Sequence, residues 1–263
     1  MRQIIDCHCH IYPEKIAAKA VANIGGYYNI TMDNTGTIDD LKKVGQGAGI
    51  TQFVIFSVAT KPQQVKNINE FIAETVSENE EIMTGLGTLH PYSDDIKGDI
   101  EHICKLGLKG VKLHPDIQAV EMDAPECMKI YELLNGKLPI LFHCGDYRYD
   151  YSNPNRLKRV LERFPELNVI GAHFGGWSMW EQAAEELCGY KNLMVDCSSS
   201  LYRLTPQKAA EIVRMYGAER VLFGTDYPMW SPDEELRRFY AMNLTAEEND
   251  LILYKNARRL FFN

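Results

Sequence analysis

The chain has 263 residues and a formal net charge of −8, and its composition is 45% hydrophobic and 24% charged. This length is close to the ~250 residues of one closed eight-stranded α/β barrel and is sufficient for a large core. Because nucleic acids and anionic membranes attract basic surfaces, the acidic balance argues against both as partners.

The sequence carries no sign of export or membrane insertion. No run reaches the ~18 apolar residues of a spanning helix, and the apolar stretch at Met1–Asp6 is too short for a signal sequence. The seven cysteines are odd in number and scattered, which predicts reduced thiols in a soluble, cytoplasmic protein. No linker or charge block divides residues 1–263, so one domain is expected, and a homodimer is open because symmetric dimers are common.

Short apolar, β-branched runs alternate with longer segments of helical periodicity. The eight candidate strands are Gln3–Cys9, Gln52–Val58, Ile82–Thr88, Leu108–Leu113, Pro139–His143, Asn168–Ala172, Leu193–Cys197 and Val221–Thr225. The clearest helical segments are Glu14–Ala22, Thr37–Val44, Pro62–Asn79, Asn155–Phe164, Pro206–Tyr216 and Ala246–Phe262. This alternation favours a parallel sheet, and eight repeats predict closure into a (β/α)8 barrel. A doubly wound open sheet is the alternative, but no glycine-rich nucleotide loop follows the first strand.

The first candidate strand ends in a His-x-His pattern. His8 and His10 are separated by one residue, so both imidazoles point to one face while Cys7 and Cys9 point to the other. In an α/β barrel the active site lies at the carboxyl ends of the strands. Two adjacent imidazoles at such an end favour chelation of one ion. Two independently hydrogen-bonded polar residues are the alternative.

Three further candidate strands end in groups that bind metals or protons. His143 follows the fifth strand, His173 the sixth and Asp226 the eighth. Four of the seven histidines therefore join one aspartate at the same end of different strands, which isolated structural histidines do not explain. Imidazoles with a carboxylate suit zinc, and also manganese, iron or cobalt. The pattern predicts a catalytic metal site.

These residues belong to a series of motifs that runs along nearly the whole chain. In order, the motifs are Asp6-x-His8-x-His10, Gly110-Val-Lys-Leu-His-Pro115, His143, His173-Phe-Gly-Gly176, Phe223-Gly-Thr-Asp-Tyr-Pro228 and Asn256-Ala-Arg-Arg-Leu-Phe261. The series resembles the amidohydrolase superfamily, and within it the amidohydrolase-2 branch of enzymes similar to α-amino-β-carboxymuconate-semialdehyde decarboxylase. The resemblance implies a metal-dependent barrel enzyme.

Carried over position by position, the resemblance implies one divalent ion held by His8, His10, His143 and Asp226. It also implies that His173 is an acid/base beside a metal-activated water and that Asp226 accepts a proton from that water. Three neutral imidazoles and one carboxylate leave a charge near +1 on the loaded site, which lowers the pKa of the water from 15.7 towards ~7. Zinc is the expected metal, with manganese, iron or cobalt as alternatives. Dinuclear relatives bridge two ions with a strand-four lysine or glutamate, so Lys112 leaves a second ion open.

Substrate-binding candidates lie in the loops that follow the strands. Arg148 and Arg203 could bind a substrate carboxylate, and Trp177 could form a wall of the pocket. The alternatives are solvated loops for the two arginines and helix packing for the tryptophan. Lys112 and His114 share a face and could equally reach the barrel mouth or form its wall.

Two reactions are compatible with this set of residues. The first is hydrolysis of a small-molecule amide, lactone or ester by metal-activated water, with His173 or Asp226 passing the proton to the leaving group. The second is non-oxidative decarboxylation of an unsaturated or aromatic acid, with His173 assisting protonation of carbon. Hydrolysis is favoured because the metal shell alone meets its requirements. A barrel without catalysis is a third reading, but it predicts damage to at least one of these positions, and all are intact.

Overall fold

The computed structural model describes residues 3–262, which form a closed barrel of parallel strands. The strands are β1 (Ile5–His10), β2 (Gln52–Phe56), β3 (Met83–Gly85), β4 (Gly87–Thr88), β5 (Val111–Leu113), β6 (Ile140–Phe142), β7 (Val169–Gly171), β8 (Leu193–Asp196) and β9 (Val221–Leu222). β1, β2 and β3 pair in that order, as do β4 through β9. β3 and β4 are two halves of one barrel strand interrupted at Leu86, whose N–H donates to the Ile55 carbonyl at 3.0 Å.

The barrel closes between its last strand and its first. The Cys7 N–H donates to the Phe223 carbonyl at 2.9 Å, and the His10 N–H donates to the Tyr227 carbonyl at 2.7 Å. The predicted eight-stranded (β/α)8 barrel is therefore confirmed. Five of the eight strands, β2 and β6 through β9, end before the predicted residue, whereas β1 continues one residue further, to His10. At the end of β9 the backbone leaves the ladder for another partner, since the Thr225 N–H donates to the Asp6 carboxylate at 2.9 Å.

Helices surround the barrel. They are α1 (Glu14–Tyr28), α2 (Ile38–Gly47), α3 (Val65–Ser77), α4 (Ile96–Lys105), α5 (Pro115–Gln118), α6 (Pro125–Leu134), α7 (Pro154–Arg163), α8 (Trp180–Leu187), α9 (Pro206–Tyr216), α10 (Pro232–Ala241), α11 (Ala246–Asp250) and α12 (Asn256–Phe261). A π-helical turn, Leu251–Lys255, joins the last two. The predicted C-terminal helix is thus three consecutive pieces, whereas α9 has the predicted bounds.

The first helix is longer than predicted. It continues past Ala22 and through Gly25 and Gly26 to Tyr28, and ends at Asn29, whose backbone is left-handed with φ 53°. Gly25 is needed at this point because a Cβ there would lie 2.9 Å from the Ile30 carbonyl oxygen. The returning chain therefore packs directly against the helix.

Alternate residues of most strands fall into two buried clusters. β1 is an exception, because the register shifts between Asp6 and Cys9, and Cys7 and Cys9, predicted to share one face, belong to different clusters. In β6, Ile140 and Phe142 belong to the large cluster that includes the helices, whereas Leu141 belongs to a smaller one. Side chains of a strand point alternately to its two faces, so the small cluster is the barrel interior. Ala257 and Phe261 of α12 also belong to the small cluster. Within residues 3–262, no helix has the length and apolar character needed to cross a membrane.

Candidate metal centre

Three of the predicted ligands converge at the carboxyl ends of β1 and β9. The Asp226 Oδ1 atom lies 3.3 Å from His8 Nε2 and 3.6 Å from His10 Nε2. Their three donor atoms all lie within 4.8 Å of one another. The Asp226 backbone is left-handed with φ 60°, a conformation that aspartate tolerates better than most residues and that is common at functional sites.

The proton on His8 is fixed by a buried carboxylate. The His8 Nδ1–H donates to Asp196 Oδ2 at 2.9 Å. Ser198 Oγ, 3.1 Å from the same nitrogen, uses its hydrogen on Asp196 Oδ1 at 2.5 Å and therefore does not donate to His8. This leaves a lone pair on His8 Nε2, directed toward Asp226. A carboxylate that orients a histidine in this way is typical of metal ligands.

His143 and His173 face each other with the same kind of proton distribution. The His143 Nε2–H donates to the Gly145 carbonyl oxygen at 3.0 Å, and the His173 Nδ1–H donates to the Ser198 carbonyl oxygen at 3.0 Å. Since a carbonyl oxygen only accepts, the remaining nitrogens, His143 Nδ1 and His173 Nε2, both carry lone pairs, and they lie 3.0 Å apart. Two lone pairs at this distance repel each other, and a nearby cation would relieve that repulsion.

The donor set fits a divalent cation. His8, His10 and His143 are buried or nearly so, and burial holds the pKa of each imidazole well below 6.5, so the rings are neutral ligands at neutral pH. Burial also lowers the pKa of His173, to about 4. The structure brings His8, His10 and Asp226 together, whereas His143 joins this group through His173, and its ligand role stays a prediction.

Lys112 is fully buried beneath these histidines. Its ammonium donates to His8 Nε2 at 3.3 Å and lies 5.1 Å from the centre of the Phe56 ring. Burial lowers its pKa to about 8. Lys112 thus offers a positive charge at the atom that would bind the metal.

His114 and Asp116 form a second polar group next to His143, and the sequence analysis did not predict that these residues lie together. The rings of His114 and His143 stack at 3.9 Å with an interplanar angle of 6°. Asp116 Oδ2 lies 3.7 Å from His143 Nε2, and the Asp116 Oδ1 atom is buried without a hydrogen-bond partner. Burial raises the pKa of this carboxyl to about 7.

The Tyr28 hydroxyl, at the end of α1, completes this second group. His114 Nδ1 accepts from the Ile117 N–H at 3.3 Å, so the hydrogen of the neutral ring is on Nε2 and is donated to the Tyr28 oxygen at 2.9 Å. His143 Nε2, 3.5 Å from the same oxygen, also carries its hydrogen. Both histidines therefore donate to the Tyr28 oxygen, and no hydrogen-bond acceptor among the described residues contacts the hydroxyl. The O–H hydrogen of Tyr28 is thus available to a ligand.

Six residues of the two groups line one cavity of about 750 Å³: His10, Tyr28, His114, His143, His173 and Asp226. Trp177 also lines this cavity, which agrees with the first of its two predicted roles. A cavity of this volume is typical of a small-molecule site.

The two predicted arginines do not line the cavity. Arg148 donates to both oxygens of Asp146, at 2.9 and 2.7 Å, and to the Tyr27 carbonyl at 2.8 Å. Arg203 is exposed. Binding of a substrate carboxylate by either residue has no support in their contacts.

Several residues of the site were missed by sequence reasoning. Tyr28, Asp196 and Ser198 were given no role, although Asp196 ends a strand in the same position as other site residues and could have been found from that position. Ser199 donates a short hydrogen bond to Asp226 Oδ2 and accepts one from Trp230 Nε1 at 2.8 Å. Only the folded chain brings these loops together.

Comparison with known proteins identifies the family. The amidohydrolase-2 family model, described as "Amidohydrolase", matches residues 5–262. The chain belongs to this amidohydrolase family. No curated protein sequence matches this amidohydrolase.

Solved structures share the fold of this amidohydrolase over almost its whole length. The TIM-barrel protein Bb4693 from Bordetella bronchiseptica is 21% identical, with a TM-score of 0.80 and 98% of each chain covered. A dihydroxybenzoic acid decarboxylase from Polaromonas sp. JS666, with bound manganese and the inhibitor 2-nitroresorcinol, is 16% identical, with a TM-score of 0.77 and coverage of 99% of this chain and 97% of that one. A probable 2-pyrone-4,6-dicarboxylic acid hydrolase from Acinetobacter baumannii, with citric acid bound, is 18% identical, with a TM-score of 0.71 and 99% of each chain covered. These likenesses show the fold, and they include both decarboxylases and hydrolases.

Proposed function

We propose that this amidohydrolase is a metal-dependent hydrolase of a small-molecule amide, ester or lactone. The proposed ligands of its single divalent ion are His8, His10, His143 and Asp226. The observation that carries the proposal is the convergence of buried acceptor atoms, among which only His8 Nε2 receives a hydrogen bond from a described cation, Lys112. His8 Nε2 and Asp226 Oδ1 lie 3.3 Å apart, and the unprotonated nitrogens of His143 and His173 lie 3.0 Å apart.

Zinc is the proposed metal. Three neutral imidazoles and one carboxylate form a nitrogen-rich set of the kind found in catalytic zinc sites, although the manganese of the Polaromonas structure belongs to a similar barrel. When bound, the ion supplies Lewis acidity that polarises a carbonyl group and activates water.

His173 is the proposed base. Its ring is neutral at neutral pH, and its Nδ1–H is held by the Ser198 carbonyl, so Nε2 is the atom that takes up a proton. Rotation of the ring is restricted because Ser198 Oγ also lies 3.0 Å from Nδ1. A proton taken up at Nε2 can then be returned to the leaving group.

Tyr28 is proposed to donate a hydrogen bond to the substrate. Its oxygen already accepts the His114 Nε2–H, so its own hydrogen is left for an oxygen atom of the ligand in the cavity. Burial holds the pKa of this phenol well above 10, so the proton is retained at neutral pH. A fixed donor of this kind stabilises charge that develops on a substrate oxygen.

Hydrolysis fits the cavity better than decarboxylation. Decarboxylation begins with a carboxylate, which side-chain cations usually bind. Within residues 3–262 the only lysine or arginine that lines the cavity is Lys15, whose side chain is exposed. The proposed substrate therefore presents an uncharged carbonyl group.

The test combines metal analysis with product detection. Purified protein is loaded with zinc or with manganese, its metal content is measured, and it is incubated with panels of neutral esters, lactones and amides and of hydroxybenzoic acids. One equivalent of metal with release of acid from the neutral panel supports the proposal. Release of carbon dioxide from the acids instead would replace hydrolysis by decarboxylation, and failure to bind any metal would remove both.

A further inference from the structure

One wall of the cavity is apolar and comes from α1, the loop after it and α3, all outside the barrel. Ile16, Ala20, Ile24 and Tyr28 are spaced four residues apart along α1, so they form one stripe of that helix, and all four line the cavity. We call the apolar lining residues of α1, of the loop after it and of α3 the apolar wall. It consists of Ile16, Ala20, Ile24, Met32, Ile68 and Phe71.

Barrel packing does not bury the apolar wall. Ile16 is 46% exposed, and the other five side chains are only partly buried. A contiguous apolar surface left open to solvent is costly unless a ligand or partner covers it. Because the same cavity includes His10 and Asp226, one molecule can cover the wall and reach these two residues.

The residues around the wall offer no buried partner for a charged occupant. The exposed polar residues of the cavity lining are the neutral Asn23, Thr60, Gln63, Gln64 and Asn67, together with Lys15. No arginine or glutamate lines the described cavity, and its one aspartate is the proposed ligand Asp226. An ionised group placed against the wall would lose its hydration without gaining a buried partner.

We propose that the apolar wall binds the hydrocarbon chain or ring of an uncharged substrate. The enzyme would then prefer esters, lactones or amides whose acyl part is lipophilic and carries no ionised group. This inference rests on the proposed function for the position of the reacting carbonyl. The stripe places Tyr28 at the inner end of the row that begins with Ile16. A substrate whose apolar part follows α1 thus has its carbonyl oxygen within reach of the Tyr28 hydroxyl.

The first experiment measures kcat/KM of the zinc-loaded protein for the para-nitrophenyl esters of acetic, butanoic, hexanoic and octanoic acids. Each added methylene is expected to raise kcat/KM by about twofold to fourfold, because each buries apolar surface. The para-nitrophenyl monoester of succinic acid, whose acyl chain has four carbons like butanoate, is expected to be at least about tenfold poorer than butanoate. Equal rates along the series, or preference for the succinate ester, would overturn the inference.

Variants locate the effect on the wall. Ile24→Asp and Ile68→Asp each place a carboxylate in the wall, and each is expected to reduce the octanoate-to-acetate ratio of kcat/KM at least tenfold. This ratio does not depend on the fraction of folded protein in a sample. Met215→Asp introduces the same charge at an exposed apolar residue of α9 outside the cavity and is expected to leave the ratio unchanged. An unchanged ratio in both wall variants would contradict the assignment.

A binding measurement separates this inference from the hydrolase proposal. Calorimetric titration with N-methyloctanamide and with N-methylacetamide reports affinity without turnover. Tighter binding of the long amide, lost in Ile24→Asp, supports the apolar wall even if no ester is hydrolysed. Ester hydrolysis without any dependence on chain length would overturn the wall and leave the hydrolase proposal intact.

Discussion

His143 Nδ1 and His173 Nε2 lie 3.0 Å apart, and the other nitrogen of each ring donates to a backbone carbonyl oxygen. The two rings therefore present their lone pairs to each other. The proposed roles divide them, with His143 as a metal ligand and His173 as the acid/base. The two histidines should respond differently to removal.

We expect His143→Ala, like His8→Ala and Asp226→Ala, to lose the bound metal, because each change removes a donor atom from the set. His173→Ala should keep the metal and lower turnover by about 10²-fold to 10⁴-fold, the usual range for a general acid or base. Metal content by elemental analysis, with steady-state rates, checks both. His102→Ala, in α4 and outside the cavity, is the control. Loss of metal in His173→Ala would show that His173 is a ligand.

The Asp196 carboxylate should set metal affinity without touching the metal. Asp196 Oδ1 accepts from the backbone N–H groups of Ser198 and His173, so an asparagine there would place its Nδ2 group against His8 Nδ1. That contact would move the His8 hydrogen to Nε2 and block the lone pair. We expect Asp196→Asn to weaken metal binding about 10-fold to 100-fold. Competition with a chelator measures this, with the exposed Asp39→Asn as control, and unaltered affinity would refute the orienting role.

Tyr28→Phe removes one hydroxyl and keeps the ring. If that hydroxyl donates to an oxygen that gains charge during the reaction, kcat should fall about 10²-fold while KM changes little. Tyr27→Phe is a matched control, since Tyr27 is adjacent and its hydroxyl has no hydrogen-bond partner among the described residues. A change in KM alone would mean that Tyr28 only binds the substrate, and no change would remove it from the mechanism.

Glu235 should make the folded protein less stable as the pH rises. Its side chain is fully buried on α10, and burial raises its pKa from 4.5 to about 7 despite the contact with Arg238. Between these two pH values the folded protein holds a proton that the unfolded chain has released. The stabilisation is therefore complete below pH 4.5 and is lost as the pH rises to about 7, a change on the order of 3 kcal/mol.

The variant Glu235→Gln should remove this contribution. The difference between the free energies of unfolding at pH 5 and pH 8, measured by urea titration, should be smaller by most of that amount than in the unmodified protein. Glu234→Gln is the control, because Glu234 also contacts Arg238, at 3.2 Å, but is partly exposed. An equal pH dependence in the protein and in Glu235→Gln would contradict the assigned pKa.

The sequence predicted the barrel and the reactive strand ends because both depend on local patterns. Apolar runs located every strand, and polar residues after those runs located His143, His173 and Asp226. The end of α1 was not predicted, since Gly25 and Gly26 usually weaken a helix and the close approach of the chain at Ile30 cannot be read from sequence.

Contacts between distant segments account for the other differences. Tyr28 forms a hydrogen bond with His114, which is 86 positions away in the sequence, and no local sequence pattern predicts such a pair. From the sequence, Arg148 was a candidate for binding a substrate carboxylate. In the structure its guanidinium instead donates a hydrogen bond to Asp146, two residues earlier, and lies outside the cavity. Charge alone does not distinguish a ligand-binding arginine from one that holds a loop in place.

The stripe on α1 has a consequence for how this enzyme can diversify. The proposed metal ligands end barrel strands, whereas Tyr28 and four of the six wall residues belong to the single connection between β1 and β2. Replacing that connection with one from another barrel of the family would exchange the substrate-facing surface and leave the ligand shell in place. Substrate selectivity and metal binding thus depend on different segments of the chain. Exchange of one segment by recombination would change the substrate range and leave the metal ligands unchanged.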